Sequence, residues 1–201
     1  MMSALDLVGQ LKSLREKHLA GQHNQLDHGR KGIGLGKIDI ISSLSKDDKN
    51  FLLSGGPNEV AIDILDDGSK KRAKGTVDIT EASIEIPNNS IAGIHTHRDN
   101  SSKLDTGHPE LSASDYRVAL DRATQLGSYS TTALLPNDGK YTSLDISYDG
   151  SQSHKDYVDT FMRMTRDMPG MVGHATHISP VWVKDAEDIG LLRLHYGKIK
   201  L

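Results

Sequence analysis

Two histidines one residue apart, His95 and His97, close the apolar run Ser90–Ile94, and Ser112-Ala113-Ser114-Asp115 follows beyond a polar stretch. Histidine nitrogens and carboxylate oxygens ligate Zn²⁺, and catalytic zinc sites combine three protein ligands with an open fourth position. On a strand, residues i and i+2 face the same side, so His95 and His97 can share an ion. Asp115 falls in the first turn of the next helix, where a carboxylate also suits the helix dipole. Zinc held by this set would lower the pKa of a water to about 7 and polarise a carbonyl. Ser112 lies three residues before Asp115 and faces the same side, so its hydroxyl can support a developing oxyanion. A plainer reading exists for each part. His-x-His on a strand is often two satisfied or surface histidines, and Ser112 with Asp115 is a helix cap with its partner. Capping and ligation are compatible, and the two halves in this order are more specific than either alone.

These residues need a strand and a helix to bring them together. Ser90–His97, entered from the Asn88-Asn89 turn, reads as a buried strand delivering both histidines at its C-terminal end. Ser112 opens a helix to about Gln125, with Tyr116, Val118, Ala119, Ala123 and Leu126 for an inner face and Gly127 as its stop. Upstream, Val60–Leu65 is a strand ending in the turn Asp66-Asp67-Gly68, and 71–77 a polar, exposed one. Downstream, 129–135 and 141–146 read as strands joined at Pro136–Gly139, then a helix over 152–166 and a last strand over 191–199. The stretch 37–51 is weakly patterned. This order predicts an α+β (α/β-like) fold with a mixed central sheet flanked by helices. Residues 3–19 read as an amphipathic helix, and 20–36 as a Gly- and His-rich linker. The chain therefore divides into an N-terminal helix and linker, 1–36, and a main domain, 37–201.

Composition narrows the classes. The absence of cysteine rules out disulfides and thiolate ligands, so a transition metal must rest on His and carboxylate. A net charge of −3 with no basic half argues against nucleic acid as the main partner. No stretch approaches the roughly 20 apolar residues of a membrane span, and no secretory h-region is evident. A cytoplasmic protein is expected.

His-x-His followed by Ser-x-x-Asp resembles the JAMM motif of the JAB/MPN metalloprotease family, in its prokaryotic and phage-type members. The likeness covers about residues 56–147 and, more weakly, the last strand. It implies a mixed sheet flanked by helices, one Zn²⁺, and hydrolysis of a peptide or isopeptide bond. His95, His97 and Asp115 match the zinc ligands, and Ser112 the residue that stabilises the tetrahedral intermediate. The family's glutamate matches Glu59, at the head of the Val60–Leu65 strand, with Glu81 and Glu85 as rivals nearer in sequence. Its implied role is to take a proton from water and pass it to the leaving nitrogen. The chain departs from the pattern at Arg98, where proline is common, and in the length of 98–111, which exceeds the compact motif. That polar loop could be a substrate-binding insertion, an occlusion, or a mark of an inactive member. His108 within it is a candidate extra ligand.

Other histidines carry weaker signals. Gly21–Gly29, with His23 and His28, resembles a short Gly-Gln-His-x-Gln-x-x-His-Gly element of phage-encoded proteins. It suits a second metal held by His23, Asp27 and His28, a docking peptide that orders on a phage structural or assembly partner, or a plain polar linker. His174 and His177 have i, i+3 spacing, but Pro169, Gly170, Gly173 and Pro180 argue against a helix there. Trp182 reads as a packing anchor. Three functions follow: a phage- or prophage-encoded zinc metallopeptidase acting on a protein or peptide in the host cytoplasm; an inactive JAB-like adaptor or assembly protein, associated with a virion or procapsid; and, third, a metal-dependent nuclease.

Overall fold

A computed structural model describes residues 40–54, 58–75, 86–97, 103–166 and 180–199. The expected N-terminal helix, the linker and its boundary near residue 36 lie outside the described residues, as do His23, His28, Glu81, Glu85, Arg98, His174 and His177.

Two short helices, α1 (Ile40–Ser43) and α2 (Lys46–Leu53), precede strands β1 (Val60–Leu65) and β2 (Lys70–Lys74). Strand β3 (Ser90–Thr96) runs up to the histidines, and helix α3 (Ala113–Leu126) leads to β4 (Ser128–Leu134). Then come β5 (Lys140–Ser147), α4 (Gln152–Arg166), α5 (Pro180–Asp188) and β6 (Leu192–Lys198). The strands form one sheet in the order β2-β1-β3-β4-β5-β6. Every neighbouring pair is antiparallel except β3–β4. A parallel pair needs a crossover, and α3 supplies it. The fold is thus α+β with a mixed central sheet flanked by helices, as the order of elements predicts. Periodicity does not reveal α1 and α2, which fall in the weakly patterned stretch, nor α5, in which only Ala186 is buried. Among the described residues no helix is long and apolar enough to cross a membrane.

The sheet buries a core on each face. Tyr129, Ala133, Leu144 and Ile146 pack with Tyr116, Ala119, Leu120 and Ala123 of α3 and with Tyr157, Val158 and Phe161 of α4. Val60, Ile62, Ile94, Leu134 and Tyr141 pack with Leu44 and with Leu52 of α2 in a second cluster. A strand covered on both sides reads as an apolar run rather than an alternation, and β1, Val-Ala-Ile-Asp-Ile-Leu, does so with Asp63 as its exception. Strand β4 is wholly buried although rich in hydroxyls. Ser130 Oγ donates to Asp145 Oδ1 at 2.5 Å, and Thr132 pairs with Ser143 across β5 at 2.9 Å. Such pairing removes the penalty of burying polar groups.

Candidate metal centre

Register places the first histidine. His95 lies opposite Ala61 of β1 and Ala133 of β4. It therefore faces the α3 side, and two alanines leave its imidazole room. His97 follows the end of β3, where its backbone N–H donates to Leu134 O at 2.8 Å and carries the parallel ladder one step further. The two-residue period returns it to the face of His95. Thr96, between them, points the other way and accepts the Val60 N–H on Oγ1 at 2.9 Å.

Helix α3 supplies the third group. Ser112 is its N-cap and Asp115 the acidic member of a full capping box. Asp115 Oδ2 accepts the Ser112 backbone N–H at 2.7 Å and the Ser112 hydroxyl at 2.8 Å. That grip turns Oδ1 toward His95 Nε2, at 3.1 Å, while Oδ2 stands 3.4 Å from His97 Nε2. The two Nε2 atoms are 3.0 Å apart. Zinc bonds of about 2.0–2.2 Å at tetrahedral angles put neighbouring ligand atoms about 3.3–3.6 Å apart. An expansion of a few tenths of an ångström therefore admits an ion. His95, His97 and Asp115 can hold a metal ion, and among the described residues no other group of three His, Cys, Asp or Glu side chains does so.

Helix α2 provides an internal contrast. Ser45 and Asp48 build the same capping box. Asp48, however, meets Lys70 at 2.6 Å and Arg72 at 2.7 Å. Ser-x-x-Asp alone thus marks a helix start, and the histidines set the two apart.

The electrostatics suit a cation. Burial works against the charged carboxylate of Asp115, yet the two imidazoles, His95 foremost, outweigh it and hold its pKa well below the ordinary value. Burial likewise opposes protonation of His95, but the charge and hydrogen bond of Asp115, then Glu59 and Asp63, outweigh it and raise its pKa.

The remaining site residues fall in different places. Glu59 is half-buried just ahead of β1, its carbonyl accepting the Gly75 N–H at 2.7 Å. Its charge is among those that raise the pKa of His95. His108 does not join the group. Its ring lies 5.5 Å from that of Tyr196 on β6, and its Nδ1 is 3.0 Å from Thr106 Oγ1. The described part of the long loop is pinned to the sheet instead. Lys103 bridges Pro109, Thr142 Oγ1 donates to Pro109 O at 2.6 Å, and Lys140 Nζ reaches Thr106 O at 3.4 Å. One residue that pattern reading passes over is Asp63, 3% exposed, whose pKa burial raises against the opposing pull of Ser90 and His95. A lone acid inside an apolar strand is the signal that could have found it.

No family model matches the chain, and neither a curated protein nor a solved structure matches it. The donor set speaks for itself chemically. Two imidazoles and a carboxylate suit zinc or iron(II), whereas magnesium and calcium favour all-oxygen shells. Three protein donors would leave further coordination positions of such an ion open.

Proposed function

We propose that the chain is a zinc-dependent hydrolase of peptide or isopeptide bonds, of the JAB/MPN type. The observation that carries this reading is the convergence of His95 Nε2, His97 Nε2 and an Asp115 oxygen at the end of a sheet, with the charge of Glu59 among those that raise the pKa of His95. When bound, zinc supplies Lewis acidity to the substrate carbonyl and to the attacking water. Glu59 takes the proton from that water and returns it to the leaving nitrogen, a general-base and then general-acid role. Ser112 Oγ, whose proton rests on Asp115 Oδ2, can turn that proton toward the developing oxyanion. The backbone N–H of Ser112 continues to hold Oδ2 meanwhile.

The test pairs metal content with hydrolysis. Purified protein loaded with zinc is assayed on a peptide library and on isopeptide-linked dipeptides, beside Glu59→Gln. The expected result is turnover in the wild type and loss of at least 100-fold in Glu59→Gln at unchanged zinc content, in line with the roughly 10²–10⁴-fold worth of a general base. Full zinc binding with no turnover in the wild type would favour the adaptor reading. Iron in place of zinc, by elemental analysis of protein purified without added metal, would overturn the assignment of the metal.

A further inference from the structure

The site contains one acid with no assigned task. Asp63 lies opposite Gly93 on β3, and its strand neighbour Ala61 lies opposite His95. Asp63 and His95 therefore share a sheet face, one residue pair apart. The carboxylate is buried, with 3% of the residue exposed. Its Oδ1 accepts the Ser90 hydroxyl at 2.9 Å, whereas Oδ2 has no hydrogen-bond partner. A side chain at Gly93 would crowd it, since a Cβ there would stand 3.2 Å from Asp63 Oδ1 and 3.3 Å from Tyr129 Oη.

The other charges facing Asp63 are committed or exposed. Arg122 of α3 donates to the backbone carbonyls of Asn88 and Ile86, at 3.0 and 3.2 Å. Lys71, opposite Asp63 on β2, is exposed. His95 is the remaining one. Its Nε2 points at His97 and Asp115, so a ligating ring must carry its proton on Nδ1 and needs an acceptor there. A buried carboxylate with an unpaired oxygen is costly unless it serves such a partner.

We propose that Asp63 is the positioning residue of the metal centre: Oδ2 accepts a hydrogen bond from His95 Nδ1–H through one bridging water, and so fixes the ring for ligation through Nε2. This rests on the reading of His95, His97 and Asp115 as a metal site. It acts through His95 and touches no substrate.

The test is Asp63→Asn in the full chain, with two readouts. Zinc affinity is measured by competition with a chromophoric chelator, and metal-free stability by denaturant unfolding. The expected result is zinc affinity weakened about 10–100-fold, with metal-free stability unchanged or higher because a buried charge has gone. Wild-type zinc affinity in Asp63→Asn overturns the inference. So does a fall in metal-free stability with zinc affinity intact, which would mark Asp63 as structural only. Should the variant fail to fold, nitrogen-15 spectra of the zinc-loaded wild type decide. A slowly exchanging proton on His95 Nδ1 with Nε2 ligated supports the proposal, and ligation through Nδ1 overturns it. A wild type that binds no zinc overturns the metal site itself, an outcome distinct from equal binding by both proteins.

Discussion

Replacing His97 by alanine removes one of the three converging side chains that can hold a metal ion and leaves the α3 capping box, held by Ser112 and Asp115 alone, in place. The consequence can be read as heat stability. A ligand present at 100 times its dissociation constant stabilises the native state by about 2.7 kcal/mol. Loss of a supporting residue around a metal costs about 10–100-fold in affinity, and loss of a direct ligand costs no less than the upper figure. At the same zinc concentration the variant then sits at or below its dissociation constant, where stabilisation is about 0.4 kcal/mol. The difference, about 2.3 kcal/mol, corresponds to about 5–9 °C in Tm for a chain of this size. The assay is differential scanning calorimetry with zinc and with chelator for each protein. Taking the zinc-minus-chelator shift within each protein cancels any change in metal-free stability. The reasoning is refuted if His97→Ala keeps the wild-type zinc shift, or if the wild type shows none.

Three further outcomes follow from other parts of the molecule. Ser112→Ala should cost about 1 kcal/mol as a lost N-cap and also weaken zinc binding, because Asp115 loses a hydroxyl that holds it; chelator competition reads the second effect. Asp48 is held well below the ordinary carboxylate range by Lys70, Arg72 and Ser45, against the opposing effect of burial. Its unfolded form takes up a proton below about pH 4 while its native form stays ionised, so the stabilisation is complete above that pH and is lost as pH falls further. Acid unfolding of Asp48→Asn should show a deficit against the wild type at neutral pH that closes in strong acid. Leu120→Ala, at a fully buried position between α3 and the sheet, should cost about 2–5 kcal/mol, measured by chemical denaturation, without altering zinc affinity.

The parts of this chain that speak plainly in sequence are those whose signals are local. The run Ser90–Ile94 needs burial on both faces and yields β3, and Ser112 with Gly127 brackets α3, which spans Ala113–Leu126. The His-x-His spacing and the capping box each specify one half of the candidate site. Their meeting is a matter of register: Ala61 opposite His95 and Leu134 O on the His97 N–H are long-range pairings that no local pattern contains. The same limit hid Asp63, because a charged residue in β1 gains its meaning from Ser90 and His95 across the strand pair. Helix α2 was hard to see for a different reason. Its eight residues bury only Asp48 and Leu52, so it presents almost no apolar stripe. His108 shows the converse, a histidine of suggestive type that tertiary packing seats against Tyr196 instead.

The loop between His97 and Ser112 is fastened at its far end, where Pro109 is tied to Thr142 and Lys103. The ligands on either side of it are secured independently, the histidines by the sheet and Asp115 by its own helix start. Loop length and centre geometry are therefore decoupled. Closing a longer loop costs little, about 0.6 kcal/mol for each doubling of its length. Residues can be inserted or exchanged in this stretch without moving His95, His97 or Asp115, so its length and sequence can drift while the group that can hold a metal ion stays as it is.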